Sequence, residues 1–190
     1  MKSEIRLLGI DDAPFSFDED TSFVVGVVMR ANGYIEGVLK REIMVDGTDA
    51  TASFITMICS SRHMDQLQAV LLDGVTFCGF NTVDVKAVFD KTDIPVITVT
   101  REKPDVDSIK TALQAHFSDW NDRFNLMNKQ KVYAVETKHN TIFVTCVGVS
   151  IEKAKEIIRL STIRGVIPEP IRVAHIIASG VRRGESHGKA

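Results

Sequence analysis

The sequence predicts a single α/β domain built on a mixed sheet with helices on both faces. Three observations lead there. Apolar, β-branched runs open the chain, an Asn-Gly turn folds two of them back on each other, and beyond the first helix strand-like and helix-like segments alternate. At 190 residues, with 44% hydrophobic and 25% charged, the chain can bury one full core and does not have the composition of a disordered protein.

Ile5 to Ile10 reads as a buried strand that stops at Asp11 and Asp12. Phe23 to Met29 (FVVGVVM) is a second strand, Ala31-Asn32-Gly33 a tight turn, and Tyr34 to Val45 the returning strand, so the first three strands form an antiparallel meander. Asp46-Gly47-Thr48-Asp49 breaks the third strand, and Thr48 or Asp49 can cap a helix over Ala50 to Ser61. Ala69 to Leu72 is a strand closed by Asp73-Gly74, Phe80 to Asp90 a helix, Pro95 to Thr100 a strand, and Asp105 to Phe117 a helix capped by Asp105 or Asp107. Ser118 to Lys129 adds a helical segment, and Val132 to Glu136 with Thr141 to Val147 a late strand pair. Ser150 caps a helix to Leu160, and after Pro168 and Pro170 a last short helix runs from Ile171 to Ser179. The domain is expected over residues 1–180, with 181–190 a polar, mobile tail. The chain shows no internal repeat and no linker.

The net charge of −2 excludes a polycation, so contact with nucleic acid needs a local basic face or metal ions. Cys59, Cys78 and Cys146 lack CxxC spacing and read as buried free thiols in a reducing compartment. No signal peptide or membrane span is apparent, and the expected location is cytoplasmic, without membrane association.

The chemistry of the chain points to acids at strand ends. Asp11 and Asp73 each close a buried strand, where ligands gather in an α/β sheet. Brought together, two such carboxylates repel unless a cation intervenes, and hard divalent ions suit oxygen ligands. Asp12 should point to the other side of the sheet. Asp46 and Asp49 lie at the exit of the third strand, where Asp49 reads equally as a helix cap or a metal ligand. Trp120 and Tyr34 could stack a base, although packing roles are more usual. His175 reads as a structural histidine, and Arg159, Arg164, Arg172, Arg182 and Arg183 make the C-terminal third locally basic.

Three antiparallel strands, a helix, and then alternating strands and helices is the order of an RNase H-like domain, although on periodicity alone other mixed α/β folds remain open. Motifs over most of the chain narrow this. Gly9-Ile10-Asp11-Asp12-Ala13 and Leu72-Asp73-Gly74, with Asp11 and Asp73 62 positions apart, resemble the two acidic strand ends of endonuclease V. Asp93-Ile94-Pro95-Val96-Ile97 resembles its later strand, and Ile167-Pro168-Glu169-Pro170-Ile171-Arg172-Val173-Ala174-His175 its closing turn and helix. The chain looks closer still to an uncharacterised archaeal family related to that enzyme.

The resemblance implies Mg²⁺- or Mn²⁺-dependent hydrolysis of a phosphodiester near a deaminated base in DNA or RNA. Asp11 and Asp73 would be the metal ligands, and Arg101 or Lys103 would contact phosphate. The sequence also departs from the enzyme. Where the family has a Phe-Arg-Glu motif, this chain reads Asp46-Gly47-Thr48-Asp49-Ala50, and by position Asp49 replaces the glutamate ligand. The aromatic-proline wedge is absent, and the stretch matched to a Gly-His-Arg motif is Cys146-Val147-Gly148-Val149, without a histidine. These readings leave a nuclease with an altered site, a nucleic-acid or nucleotide-binding module that has lost hydrolysis, and an interaction protein on the same scaffold.

Overall fold

The computed structural model describes residues 4–187. Its elements run β1 (Arg6–Asp12), β2 (Thr21–Arg30), β3 (Ile35–Met44), α1 (Ala50–Cys59), β4 (Leu67–Asp73), β5 (Thr76–Phe77), β6 (Asn81–Thr82), α2 (Val85–Thr92), β7 (Val96–Thr100), α3 (Val106–His116), α4 (Trp120–Met127), β8 (Tyr133–Glu136), β9 (Thr141–Val147), α5 (Ile151–Ser161) and α6 (Glu169–Arg183). Seven strands make the main sheet in the order β3-β2-β1-β4-β7-β9-β8. The meander β1-β2-β3 is antiparallel, β4 and β7 lie parallel to β1, and β9 and β8 close the sheet as an antiparallel hairpin.

Strand alternation sorts the core into two layers. From β1, Leu8 and Ile10 pack on one face with Phe54, Met57 and Ile58 of α1 and Val88 of α2. Leu7, with Leu71 of β4 and Ile97 and Val99 of β7, packs on the other face under Ala154, Ile157 and Ile158 of α5 and Ile171 of α6. A strand buried on both faces reads as an unbroken apolar run, which is how β1, β4 and β7 appear in the sequence. At the edge, β3 leaves Ile35, Val38 and Met44 about half exposed. No helix among the described residues is long and apolar enough to cross a membrane.

Most local signals act as expected. Gly33 takes φ +99° in the β2–β3 turn. Asp105 accepts from Ser108 N at 3.1 Å to cap α3, and Ser150 accepts from Lys153 N at 3.3 Å to cap α5. Three segments differ.

The helix expected from Phe80 begins only at Val85. Residues 76–82 instead form a small hairpin turned through Cys78 and Gly79, both with positive φ, and Asp84 starts α2 by accepting from Lys86 N and Ala87 N. The last helix runs through Gly180 to Arg183 and stops at Gly184, whose φ of +84° is the helix-ending conformation. Arg182 and Arg183 therefore belong to α6, and the Ser179 hydroxyl accepts from His187 N at 3.2 Å. Residues 188–190 of the expected tail lie outside the described residues. Cys59, at the end of α1, is exposed, because the helix turns its apolar side away from that position.

Two contacts set the positions of the strand ends. A Cβ built on Gly9 would stand 2.2 Å from the Pro170 carbonyl carbon, so only glycine lets the start of α6 lie directly on β1. On the opposite face, the fully buried Asn81 accepts from Ala50 N at 3.0 Å and donates to the Met44 carbonyl at 2.9 Å, tying the β5–β6 hairpin to the start of α1. Gly9→Ala should lose about 2–3 kcal/mol in denaturant unfolding, because backbone and not a flexible side chain must move. Asn81→Ala should cost about 2 kcal/mol by leaving a buried N–H and a carbonyl unsatisfied. A change below a few tenths of a kcal/mol in either variant would contradict the packing described.

Candidate functional site

β1 and β4 are parallel neighbours whose last paired row is Ile10 with Leu72. One residue further along, the sheet delivers Asp11 and Asp73 side by side at the carboxyl ends of adjacent strands. Alternation turns both side chains toward α5 and α6, the face that holds Leu7 and Leu71. Asp12 faces the other layer, as alternation requires, and accepts from Cys78 N.

Asp11 is only 4% exposed. One carboxylate oxygen accepts from Asp12 N at 2.8 Å, and the other lies 2.9 Å from His175 Nδ1. The contact of Pro170 with Gly9 seats the first turn of α6 on β1, and five residues on, His175 reaches the end of that strand. The imidazole's Nε2 is buried, with no hydrogen bond of normal geometry among the described residues. The bond to Asp11 holds the imidazolium form above its ordinary range against the opposing effect of burial. The charges of Asp11 and Asp73 add to this, and the His187 backbone is the weakest contributor.

The carboxylates pull the other way on each other. Burial first, and then the charge of Asp11, push Asp73 up to about 7, with Arg101 opposing. Burial and Asp11 likewise push Asp12 up to about 6, against the Cys78 N–H. The end of the sheet thus holds more buried negative charge than His175 and Arg101 offset, an environment that favours a proton or a bound cation.

Of the residues singled out in the sequence, the structure brings together Asp11 and Asp73, with Arg101 in electrostatic reach of Asp73. Lys103 lies exposed two residues further along the same loop. Asp49 is not brought to this group. Its carboxylate accepts from Met44 N at 3.2 Å and from Asn81 Nδ2 at 2.6 Å. Although it stands at the N-cap position of α1, it makes no capping bond, and Asn81 takes that role. Asp46 likewise holds the hairpin, accepting from Phe80 N at 2.7 Å.

Among the described residues no three His, Cys, Asp or Glu side chains are grouped so that they could hold a metal ion. Two neighbouring carboxylates remain a fitting donor pair for Mg²⁺, which is often held by one or two protein carboxylates and completes its shell with water and phosphate oxygens.

The contact that sequence reasoning did not find is that of His175 with Asp11. The sequence offered one signal for it, the histidine's place five residues after Pro170 in the closing motif. Without the fold, a helix histidine flanked by Ala174 and Ile176 looks like a packing residue. Arg172 and Arg182, read as part of a basic strip, are engaged with Glu169 and Glu19. Tyr34 is exposed beside Arg30 at the far end of β2, and Trp120 packs near Lys110.

Comparison with known proteins gives the chain its relatives. A UPF0215 protein of Methanothermobacter thermautotrophicus is 46% identical over 192 aligned residues, covering 100% of this chain and 94% of that protein. A UPF0215 protein of Pyrococcus furiosus is 40% identical, covering 98% and 96%. Among solved structures, a protein of unknown function from Archaeoglobus fulgidus superposes with a TM-score of 0.83 at 34% identity, covering 93% of this chain and 98% of that one. The catalytic domain of human endonuclease V superposes at 0.59 with 16% identity, covering 95% and 83%. Ciona intestinalis endonuclease V, in complex with an inosine-containing DNA, superposes at 0.57 with 14% identity, covering 90% and 82%. At such identities these last two establish the fold, which is RNase H-like, and the family model for endonuclease dU matches residues 3–182. The chain belongs to the endonuclease dU family, an archaeal group of endonuclease V-like proteins.

Proposed function

We propose that this protein is a divalent-metal-dependent hydrolase of phosphodiester bonds in DNA or RNA, with Asp11 and Asp73 as the metal-holding pair. The observation that carries this reading is the placement of the two carboxylates on adjacent strand ends, in a setting where their mutual repulsion is left partly uncompensated. A Mg²⁺ or Mn²⁺ ion held there would supply a Lewis acid for the phosphoryl oxygen and a more acidic bound water. His175 is a positioning residue: its bond to one Asp11 oxygen fixes the carboxylate's orientation and leaves the remaining lone pairs to face the ion. Arg101 and Lys103, on the loop after β7, provide cations for a phosphate approaching Asp73. The family's name, and the inosine-containing DNA bound by the Ciona endonuclease V, make strands carrying deoxyuridine or inosine the first substrates to assay.

One observation favours a second reading, a nucleic-acid-binding module without hydrolysis. Asp49, the replacement expected for a third ligand, is engaged by Met44 N and Asn81. Cleavage assays separate the two readings. Asp11→Asn and Asp73→Asn should each reduce Mn²⁺-dependent cleavage at least ~100-fold, while Asp49→Asn should retain most of it. His175→Ala should weaken the metal requirement curve ~10–100-fold, the usual effect of losing a partner that orients a ligand. Cleavage that survives in Asp73→Asn, or that needs no metal, would remove the nuclease reading.

Asp73 also predicts a pH signature. Its carboxyl titrates at about 7 in the folded protein and near the ordinary 3.8 when unfolded, so the folded state binds the proton more tightly between those values. Without metal, stability should therefore fall as pH rises through that window. Mn²⁺ should raise the melting temperature more at pH 8 than at pH 5, where it competes with the proton. Asp73→Asn should flatten the slope and remove the metal effect. Melting curves of wild type and variant across pH measure both.

A further inference from the structure

We infer that the cleft between β8 and α5 is a second contact surface for nucleic acid, binding a single-stranded segment that extends from the Asp11–Asp73 site; this rests on the nucleic-acid reading above. The cleft encloses about 790 Å³, within the roughly 300–1,000 Å³ range of sites that hold small organic groups. Its floor is apolar, with Val135 and Ile158 almost fully buried beneath it, and Ile163 stands at its edge 52% exposed. Around the opening stand Lys138, Lys155 and Arg159, all exposed.

Among the described residues none of these three cations is in a salt bridge, although Lys153, two positions before Lys155 on the same helix, is paired with Glu156. The carboxylate in the lining, Glu136, accepts from the Thr141 hydroxyl at 2.8 Å. Exposed cations over an apolar floor match a strand of nucleic acid, whose phosphates track a positively charged groove, while the apolar side chains offer cover to the faces of unpaired bases.

Topology places the cleft where such a strand would pass. β7 pairs antiparallel with β9, and β9 antiparallel with β8, so β8 runs parallel to β1, β4 and β7. The Lys138 turn therefore leaves the sheet at the same end as Asp11 and Asp73. Val135 and Ile142 pack in the same layer as Leu71, so cleft and acids also share a face. β8 is three strands from β4 in the sheet, about 15 Å at the usual spacing, and the loop carrying Arg101 and Lys103 leaves β7 between them. Positive charge is thus distributed along one rim, from the acids to the cleft. A duplex cannot lay a base face on the floor, whereas a single strand can.

Fluorescence anisotropy with a labelled single strand of about a dozen nucleotides, in EDTA so that nothing is cleaved, tests this. Lys155→Glu/Arg159→Glu should weaken binding at least ~10-fold and lower the salt slope by about 1.4, two phosphate contacts at roughly 0.7 each. Lys153→Ala, on the same helix outside the cleft, should bind as wild type does. Both changed positions in the double variant are exposed, so its melting temperature should match wild type. Equal affinity and slope for wild type and double variant would overturn the cleft and leave the hydrolase reading standing. Lost binding in the double variant, together with cleavage unaffected by Asp73→Asn, would uphold the cleft and remove the hydrolase. A wild type that binds no strand in EDTA would likewise overturn the cleft, and cleavage with Mn²⁺ would then decide the hydrolase reading separately. If sedimentation shows that charge reversal breaks up a dimer, the cleft is a protein contact and the proposal fails.

Discussion

Everything at the candidate site depends on how closely α6 approaches β1. Helices normally ride on a sheet at a distance set by side chains from both layers. Here Gly9 removes one layer and the backbone of Pro170 meets the strand directly. The helix is thereby fixed in height and direction from its first turn, before its own side chains contribute. His175 arrives at Asp11 as a consequence, and Ala174 and Ala178, small residues on the same side, keep the helix low along β1 and β2. A bulkier residue at position 9 would raise the helix and carry the imidazole away from the carboxylate.

The same closeness governs the electrostatics. Burying Asp11 to 4% exposure is tolerable because one oxygen meets a backbone N–H and the other an imidazole that is driven toward its charged form. The negative charge so stabilised is then felt by Asp73 and Asp12, the neighbours left without equivalent partners. Two of the three acids at this sheet end are therefore reluctant to ionise, and the group as a whole is sensitive to any cation that approaches from the open side. On the other face, Arg123 performs the opposite service. Its buried guanidinium donates to the carbonyls of Gly47 and Phe80 at 2.9 and 2.8 Å and pairs with Asp119, so α4 ties the loop after β3 to the β5–β6 hairpin.

The fold was legible in the sequence because its signals are local. β-branched runs, the Asn-Gly turn and the caps at Asp105 and Ser150 each act within a few residues, and the order of elements follows from them. The hairpin at residues 76–82 was not legible. It depends on Cys78 adopting a left-handed conformation that its side chain does not advertise, on Asp46 reaching in from the end of β3, and on Asn81 reaching out to Met44 and Ala50. Asp11 and Asp73 could be found because an acid closing an apolar strand is itself a pattern. The pairing of His175 with Asp11 spans 164 positions and arises only once α6 lies on β1. Asp49 illustrates the converse: a position in sequence offered it as a ligand, and a tertiary contact with Asn81 gave its carboxylate another occupation.

The consecutive acids Asp11 and Asp12 have a bearing on how the chain finds its sheet. They occupy opposite faces of one strand, the first meeting a histidine and the second a backbone N–H in the turn at Cys78. If β1 slipped by a single residue against its neighbours, every side chain would change faces, Leu7 and Leu8 would trade compartments with little loss, and hydrophobicity alone would scarcely object. The two carboxylates would object, since a slip in either direction brings one of them to the other's partner and strands the second. Chemistry placed at the mouth of the sheet thereby also serves as a registration mark for assembling the strand that carries it.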